Sequence, residues 1–388
     1  MTTWEAVAVL PNVVLADAIE CDFLALTPWG DARVRALCNK DPSLKAFLGS
    51  FTDAFRRKIF PSVILVRTDA PRTVWNTEAI GGFRDAIAIS VTARGRALEL
   101  RYPKRVIAVK FSDAFSFYPW MPTRDGQHLV LRTPSMVAVD DVEQFRGQSF
   151  PESAVREVHM NDVDWALLNE LLARWKKRFS LQRGSWQDRA LFRSLNMANH
   201  ASRAPAGADA TLFDYGRSTA LWVSAFEILT HPGGNGKTQL STVYDVLEAA
   251  PWHSRTLRTR LYKAQWVPKS QLKRRIAASW LYGLIYRARN DFLHGNPVTG
   301  KGLSVPRTRA GLFVCASPLY RMALASILDL QWKEPAPCRE NIEALGKWMS
   351  DRSDFHGHQR KIEDGLLAAI GQDKSHLISS RRMSRTIS

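Results

Sequence analysis

The sequence predicts an α+β protein in which a mixed α/β domain is followed by an all-α helical domain. Short β-branched runs occur in the first part of the chain, and this signal fades beyond about residue 160. The 388 residues are 45% hydrophobic, which is enough for packed cores and for two domains. We expect a mixed α/β regulatory or recognition domain over 1–160, a linking helix over 161–185, a helical domain over 186–372 and a basic tail over 373–388.

Helices and strands are predicted together in the amino-terminal part. Apolar residues follow helical spacing over 31–59, and residues 74–92 predict another helix. The run SVILVR at 62–67 is apolar and β-branched between polar flanks, which is typical of a buried strand. HLVLRT and MVAVD, within 128–140, predict two strands around a turn at Pro134-Ser135.

The rest of the chain is predicted to be helical. An amphipathic helix over 162–179, with Asp162 as its N-cap, would link the two parts. The Ala-, Pro- and Gly-rich stretch at 201–210 predicts a loop. Further helices are predicted at 186–200, 212–230, 237–250, 270–294, 309–332, 339–350 and 357–370.

The positive charge is concentrated in one stretch of the chain. The net charge is +17, and from Ala249 to Leu328 fourteen Lys or Arg stand against one acid, Asp291. A merely solvated basic surface usually carries interspersed acids. The stretch therefore favours binding of a polyanion, either nucleic acid or an anionic membrane surface. The residues expected to bind nucleic acid are Arg255, Arg258, Arg260, Lys263, Lys273, Arg274 and Arg275.

Cysteine spacing and hydropathy exclude several classes of protein. Cys21, Cys38, Cys315 and Cys338 form no C-x-x-C pair, so we expect free thiols of a reducing compartment and no metal site. The amino terminus lacks the basic region of a signal peptide, and no uninterrupted apolar run reaches about 18 residues. We therefore expect a cytoplasmic protein without a cofactor and without a membrane partner.

The helix that ends in RARNDFLHGNP (287–297) carries a polar stripe at its carboxyl end. The stripe consists of Arg287, Asn290, Asp291 and His294, which recur at helical spacing. Gly295 supplies a left-handed stop, and Pro297 prevents the helix from continuing. A histidine at this end can give or take a proton, and an arginine one or two turns before it can hold a phosphate.

These groups suit cleavage of RNA by transesterification without a metal ion. In that reaction a base deprotonates the ribose 2′-hydroxyl, which attacks the adjacent phosphorus. Cations neutralise the phosphorane, and an acid protonates the leaving 5′-oxygen. One histidine supplies only one of the two proton transfers, whereas a symmetric dimer would bring two histidines and at least two arginines to a shared cleft.

The segment Arg289-Asn290-Asp291-Phe292-Leu293-His294 resembles the R-x4-6-H signature of the HEPN domain family, in which a polar residue directly follows the arginine. The layout is similar to the Apea-like HEPN branch, because a helix with Phe226-Glu227-Ile228-Leu229 and a basic helical region precede the motif. The resemblance covers about 190–350. It implies a HEPN-like helical bundle, dimerised at the motif, and a metal-independent endoribonuclease of bacterial toxin–antitoxin or anti-phage defence. Some members keep the fold without the activity.

By the same resemblance, three residues would form the reaction centre. His294 would be the general acid/base, Arg289 the phosphate-binding cation and Asn290 the orienting polar group. The expected partners are RNA, a second copy of the chain or a larger assembly, and a trigger or partner protein bound through the amino-terminal domain.

The sequence leaves the choice between two arginines open. Arg287 also fits the spacing, as R-x6-H, and on a helical wheel it lies on the same face as His294, whereas Arg289 does not. Asp291 and Glu227 are the expected partners that hold an arginine in place.

Two other functions stay open. The chain could be a non-catalytic HEPN module that binds nucleic acid or nucleotide as an assembly scaffold. It could also be a nucleotide-binding switch built on HPGGNGKT at 231–238, but His231 stands where a phosphate-binding loop needs glycine, so we expect a helix-terminating loop. His356 and His358 lack a third metal ligand, and Gly357 indicates a turn, which predicts a solvated loop there.

Overall fold

The computed structural model confirms the predicted α+β class, with a small antiparallel sheet followed by a mostly helical region. It describes residues 3–52, 56–104, 112–116, 118–119, 130–133, 136–141, 156–203, 210–264 and 274–372. The predicted turn at Pro134-Ser135, the basic tail and Lys273 lie outside the described residues.

Most of the strands lie before residue 160, and most of the helices follow it. The strands are β1 (Trp4–Leu10), β2 (Val13–Leu15), β3 (Ile19–Cys21), β4 (Leu24–Thr27), β5 (Ser62–Arg67), β6 (Tyr118–Pro119), β7 (Val130–Thr133), β8 (Met136–Asp141), β9 (Arg156–Val158), β10 (Leu261–Lys263) and β11 (Arg274–Ile276). The helices are α1 (Ala32–Lys40), α2 (Pro42–Gly49), α3 (Thr77–Arg101), α4 (Trp165–Trp175), α5 (Trp186–Ala201), α6 (Leu212–Leu229), α7 (Leu240–Glu248), α8 (Arg255–Thr259), α9 (Ala277–Leu293), α10 (Leu312–Ile327) and α11 (Ile342–Ala369).

The amino-terminal part is built on an antiparallel sheet with the strand order β3-β4-β5-β1-β6. Alternate residues of β5 enter two different cores. Val63 and Leu65 pack with residues of α1 and α2, whereas Ile64 and Val66 join the core that contains α3. Burial on both faces explains why SVILVR is apolar throughout instead of alternating with polar residues.

The long helix α3 joins the sheet to the carboxyl-terminal helices. It has 25 residues and extends beyond the predicted 74–92. It contacts α4, α5, α10 and α11. At Gly365 of α11, an added Cβ would lie 2.5 Å from the carbonyl oxygen of Ala97, so the backbones of α3 and α11 touch. One hydrophobic core therefore runs from the sheet into the helical part.

The start of α9 corrects the predicted helix over 270–294. Residues Arg274–Ile276 form β11, which pairs with β10 in antiparallel register, and the helix begins at Ala277. The ring of Tyr262 in β10 stacks on Trp280 of α9 at a centroid distance of 4.7 Å. This stack holds the hairpin against the helix, and helical periodicity does not reveal such a pairing.

The two helices predicted at the carboxyl end are one helix, α11, of 28 residues. The turn predicted at Gly357 is wrong, and so is the solvated loop around His356 and His358, because both histidines are helical and His358 is buried. Glycine inside a helix costs about 1 kcal/mol relative to alanine. Burial of Ile362 and Leu366 in the shared core outweighs that cost.

The predicted linking helix is α4, continued by a π-helical turn over Lys176–Ser180. Its N-cap is Asp164, whose carboxylate accepts a hydrogen bond from the Leu167 N–H, and not the predicted Asp162. Asp162 instead forms an ion pair with Arg94 of α3, at 2.8 Å between Nη1 and Oδ1. The start of the helix is therefore tied to the amino-terminal part.

Membrane-spanning helices and disulfides are not features of the described structure. None of the helices in the described ranges is long and apolar enough to cross a bilayer. All four cysteines are free, with Cys338 exposed and the others buried.

Candidate functional site

The carboxyl end of α9 closes as the glycine predicts. His294 is the C-cap, and its N–H donates to the Asn290 carbonyl at 2.9 Å. Gly295 has a φ of +72°, which favours glycine, and the Asn296 N–H returns to the Asp291 carbonyl at 2.9 Å. This return bond is the 6→1 bond of a Schellman-type cap. The cap fixes the point at which the His294 side chain leaves the helix.

Arg289 is half-buried and held by its neighbours on α9. Its Nη1 donates to Oδ1 of Asn290 at 2.9 Å, and its Cζ lies 5.7 Å from the centroid of the Tyr286 ring. Its Nε is buried without a hydrogen-bond partner among the described residues. The guanidinium is thus fixed in place while part of its donor capacity is unused.

Glu227 of α6 acts electrostatically on Arg289, although the two described side chains form no ion pair. Burial raises the pKa of Glu227, and the positive charge of Arg289 partly opposes that rise. Burial also raises the pKa of Tyr282 well above its usual value; the Glu227 carboxylate adds to the rise and Arg289 opposes it. The rings of Phe226 and Tyr282 pack at 4.8 Å and hold α6 against α9 here. Glu227, Tyr282, Tyr286, Arg289 and Asn290 form what we call the arginine cluster.

Arg287 lies outside the arginine cluster. Its Nε is 3.9 Å from Oδ2 of Asp291, one turn further along, and 54% of its side chain is exposed. The two acids predicted to hold an arginine are therefore divided between the two arginines. Asp291 lies beside Arg287, and Glu227 acts on Arg289.

His294 is exposed, and its side chain makes no hydrogen bond, ion pair or ring contact with any residue in the described ranges. An apolar rim of three exposed residues lies beside this end of the helix. Leu293 is 54% exposed, and Leu212 and Phe213 at the start of α6 are 48% and 67% exposed. Gly216 of α6 lies directly under Phe292, which brings the start of α6 to the end of α9. The histidine therefore stands in solvent at the edge of an apolar surface.

Most of the predicted nucleic-acid-binding residues lie on α8 and on the hairpin β10–β11. Lys263 stands directly opposite Arg274 in the ladder, and both side chains are exposed. Like charges at opposed positions destabilise a strand pair, so a bound anion would relieve this pair. The guanidinium of Arg260 lies 5.7 Å from the Tyr262 ring. Arg255 and Arg258 of α8 are also exposed.

Arg275 has a different environment from the rest of this basic group. Its Nη1 lies 3.1 Å from Glu248 Oε2 and 3.4 Å from Asp245 Oδ1. The guanidinium also lies 5.3 Å from the centroid of the Tyr244 ring. Arg275 therefore ties β11 to α7 and is less available to RNA than the sequence predicts.

The remaining motifs have structural partners. The segment 231–238 follows α6 without a strand, and Thr238 Oγ1 donates to the Glu227 carbonyl at 2.8 Å. The His231 Nδ1 accepts a hydrogen bond from the Gly233 N–H at 3.0 Å. Both bonds fold the segment back on itself and on α6, as expected for a helix-terminating loop. Within the described ranges, no three His, Cys, Asp or Glu side chains converge as metal ligands do.

Sequence reasoning missed the tyrosines of the arginine cluster and the Tyr262–Trp280 stack. The signal for the first was present, because Tyr282, Tyr286 and Arg289 recur at helical spacing. The resemblance to the HEPN family rests on the residue pattern. Comparison of the chain with protein-family models, curated proteins and solved structures gives no match.

Proposed function

We propose that this protein is a metal-independent endoribonuclease that cleaves single-stranded RNA by attack of a ribose 2′-hydroxyl. The observation that carries the proposal is the placement of Arg289 and His294 at the same end of α9. The arginine is fixed by Asn290 and Tyr286 with its Nε unpartnered among the described residues, and the exposed histidine follows five residues later at a capped helix end. A fixed guanidinium can neutralise the phosphorane, and an accessible imidazole can carry out one of the two proton transfers that this reaction needs without a metal ion.

In the proposed reaction the 2′-oxygen bonds to phosphorus and the bond from phosphorus to the 5′-oxygen breaks. His294 takes the proton from the 2′-hydroxyl or returns one to the leaving 5′-oxygen. Arg289 neutralises the charge that builds on the non-bridging oxygens, which a planar guanidinium does with two parallel hydrogen bonds. The products are a 2′,3′-cyclic phosphate and a 5′-hydroxyl end. In the role that the family resemblance implies, this cleavage would serve bacterial defence.

A second copy of the chain belongs to the proposal, because one histidine supplies one proton transfer. The apolar rim of Leu212, Phe213 and Leu293 beside His294 supports association at this end of α9. In a symmetric pair the same surface meets itself, so the second His294 would approach the first.

A non-catalytic HEPN-like module that binds RNA as a scaffold is the second candidate function. The observation that favours it is the orientation of Arg289. Within the described part of the chain its side chain contacts Asn290 and Tyr286, and no contact joins it to the His294 side chain. Such an arginine could stabilise α9 alone, while the exposed residues of the β10–β11 hairpin bind RNA.

The test is cleavage of end-labelled single-stranded RNA in EDTA by the full chain. We expect His294→Ala to lower the rate of cleavage by at least about 100-fold, because a general acid or base usually accelerates a reaction by that factor or more. Arg289→Lys keeps the charge but loses the planar fork, so it should also lose most of the activity. His159→Ala is the matched control, because His159 is exposed and belongs to the amino-terminal part. It should cleave like the wild type.

The two candidate functions give different results in this assay. Cleavage by His294→Ala at the control rate would exclude the proposed reaction centre, and loss of wild-type cleavage in EDTA would exclude a metal-independent mechanism. RNA with a 2′-deoxy sugar at the scissile position should resist cleavage. Binding of RNA without cleavage by the wild type would favour the scaffold. Arg287→Ala beside Arg289→Ala ranks the two arginines, and a larger loss at Arg287 would overturn our assignment of the phosphate ligand.

A further inference from the structure

A large cleft lies between α4, the segment 328–334 that follows α10, and α11. Its volume is about 1010 Å³, which is at the upper end of the range for small-molecule sites. None of the residues of the arginine cluster lines it, and neither does His294. The proposed ribonuclease activity therefore leaves this cleft unused.

The lining of the cleft contains a buried histidine with no hydrogen-bond partner among the described residues. His358 is 8% exposed and lines the cleft. Neither of its ring nitrogens forms a hydrogen bond with any residue that the structure describes, although Asp164 and Arg94 act on it electrostatically. Burial lowers the pKa of His358, so the ring is neutral near pH 7 and has one donor and one acceptor nitrogen. Because the residue lines the cleft, a ligand there can bond either ring nitrogen.

Aromatic side chains line the wall and the mouth of the same cleft. The rings of Trp332 and Phe355 lie 5.8 Å apart, and the Trp332 Nε1 is buried without a partner in the described part of the chain. Trp165 is 38% exposed, and its Nε1 donates to the Met160 carbonyl at 3.1 Å, which holds the ring in place. Aromatic faces of this kind attract organic cations.

The charge of the lining is negative, in contrast to the net charge of +17 of the chain. Asp351, Asp354 and Glu334 line the cleft, and none of their carboxylates forms a hydrogen bond or an ion pair with a described residue. Lys361 lies near them, and Asp354 acts on it electrostatically. Arg94 also lines the cleft but is paired with Asp162. Three carboxylates without an ion pair among the described residues thus face one ammonium group. A ligand with at least two positive charges would neutralise the excess.

The other acids of the lining are already balanced. Asp164 bonds Arg321 of α10, with 2.8 Å between Oδ2 and Nη2, and both side chains are almost fully buried. Asp329 pairs with Lys333, which also lines the cleft, and Glu170 pairs with Arg174. The charge that a ligand meets therefore comes from the three carboxylates at 334, 351 and 354, of which two lie on α11 and one lies in the segment 328–334.

We propose that this cleft binds a small organic polycation of the polyamine class. One ammonium group lies against the Trp332 and Phe355 rings and donates to the acceptor nitrogen of His358. The other ammonium groups lie along Asp351 and Asp354, which are one turn apart on α11. The aliphatic links between the charges cover the aromatic wall.

The test is calorimetric titration of the full chain with spermidine at fixed ionic strength. We expect saturable binding to one site per chain. In the double variant Asp351→Asn/Asp354→Asn the dissociation constant should rise at least about tenfold. Both residues are exposed, so the variant should fold. The matched control is Glu340→Gln/Glu343→Gln, which changes the net charge equally but outside the cleft and should bind like the wild type.

Three results would overturn the assignment. Absence of saturable binding would exclude a polyamine site. Equal weakening in both double variants would mean that spermidine only screens the surface. Binding of a lysine-rich peptide without binding of spermidine would assign the cleft to a protein partner instead. His358→Gln provides an independent check, because weaker binding with an unchanged thermal unfolding temperature assigns the histidine to the ligand and not to the fold.

Discussion

Gly216 of α6 sets the position of the carboxyl end of α9, and we expect Gly216→Ala to disturb it. A Cβ at this position would lie 2.5 Å from Cδ2 and 3.0 Å from Cε2 of Phe292. Carbon atoms in contact normally stay about 3.5–4.0 Å apart, so the ring must retreat by about 1 Å. Phe292 lies two residues before His294, so the shift reaches the proposed reaction centre.

Two effects on the free energy of unfolding oppose each other in this variant. Alanine stabilises a helix interior by about 1 kcal/mol relative to glycine. Overpacking of a well-packed contact costs about 1–3 kcal/mol. Because Gly216 is buried between two helices, the second effect should win. We expect a net loss of up to about 2 kcal/mol, which lowers the Tm by up to roughly 3 °C in a chain of this length.

The assay is thermal unfolding of Gly216→Ala, Phe292→Leu and the double variant. Leucine leaves room for the new methyl group, so the double variant should be more stable than the sum of the single effects by about 0.5 kcal/mol or more. The rate of RNA cleavage should follow the same order if the proposed function holds. A Gly216→Ala protein as stable as the wild type, with additive single effects, would refute the contact as the cause.

Further expectations concern the charge of the arginine cluster, the α3–α11 contact and the RNA surface. Because burial raises the pKa of Glu227, its stabilising contribution is complete below the usual glutamate range and is lost as the pH rises through the folded pKa. Glu227→Gln should therefore raise the Tm relative to the wild type at pH 8 but not at pH 4, and a lower Tm at pH 8 would contradict this. Gly365→Ala should destabilise the protein in urea by about 1–3 kcal/mol, because its Cβ would strike the α3 backbone. Gly346→Ala in the same helix has open space and should stabilise by up to about 1 kcal/mol, so equal effects would contradict the contact. Lys263→Ala and Arg274→Ala should each reduce the salt dependence of RNA binding by about one unit of slope, and an unchanged slope would exclude a phosphate contact.

The fold is predictable from the sequence where local pattern and tertiary packing agree. SVILVR is a strand by composition, and burial on both faces of the sheet stabilises the same state. The continuity of α11 was not predictable, because the local signal of Gly357 opposes it. The burial that outweighs this glycine exists only once α3 is in place. The three-residue strands β10 and β11 carry arginine and lysine instead of an apolar alternation. Their local sequence therefore does not predict strands.

The candidate site is predictable to the extent that its chemistry is local. The stop at Gly295 follows from helix capping, which involves adjacent residues only. The sequence overstates the positive charge that Arg275 and Arg321 offer to a polyanion. Their partners Glu248 and Asp164 lie outside the basic stretch and neutralise them in the fold. Arg321 is 1% exposed and belongs to the core, so it adds nothing to a surface that binds polyanions.

The position of α3 has a practical consequence for fragments of this protein. A fragment that begins at residue 186 would contain the proposed reaction centre but would leave the faces of α10 and α11 that pack on α3 in contact with water. It should aggregate when it is expressed alone. Co-expression with residues 1–185 should recover it through the same apolar faces. The chain is thus suited to split-protein complementation. If the proposed function holds, RNA cleavage would measure the association of residues 1–185 with the fragment that begins at residue 186.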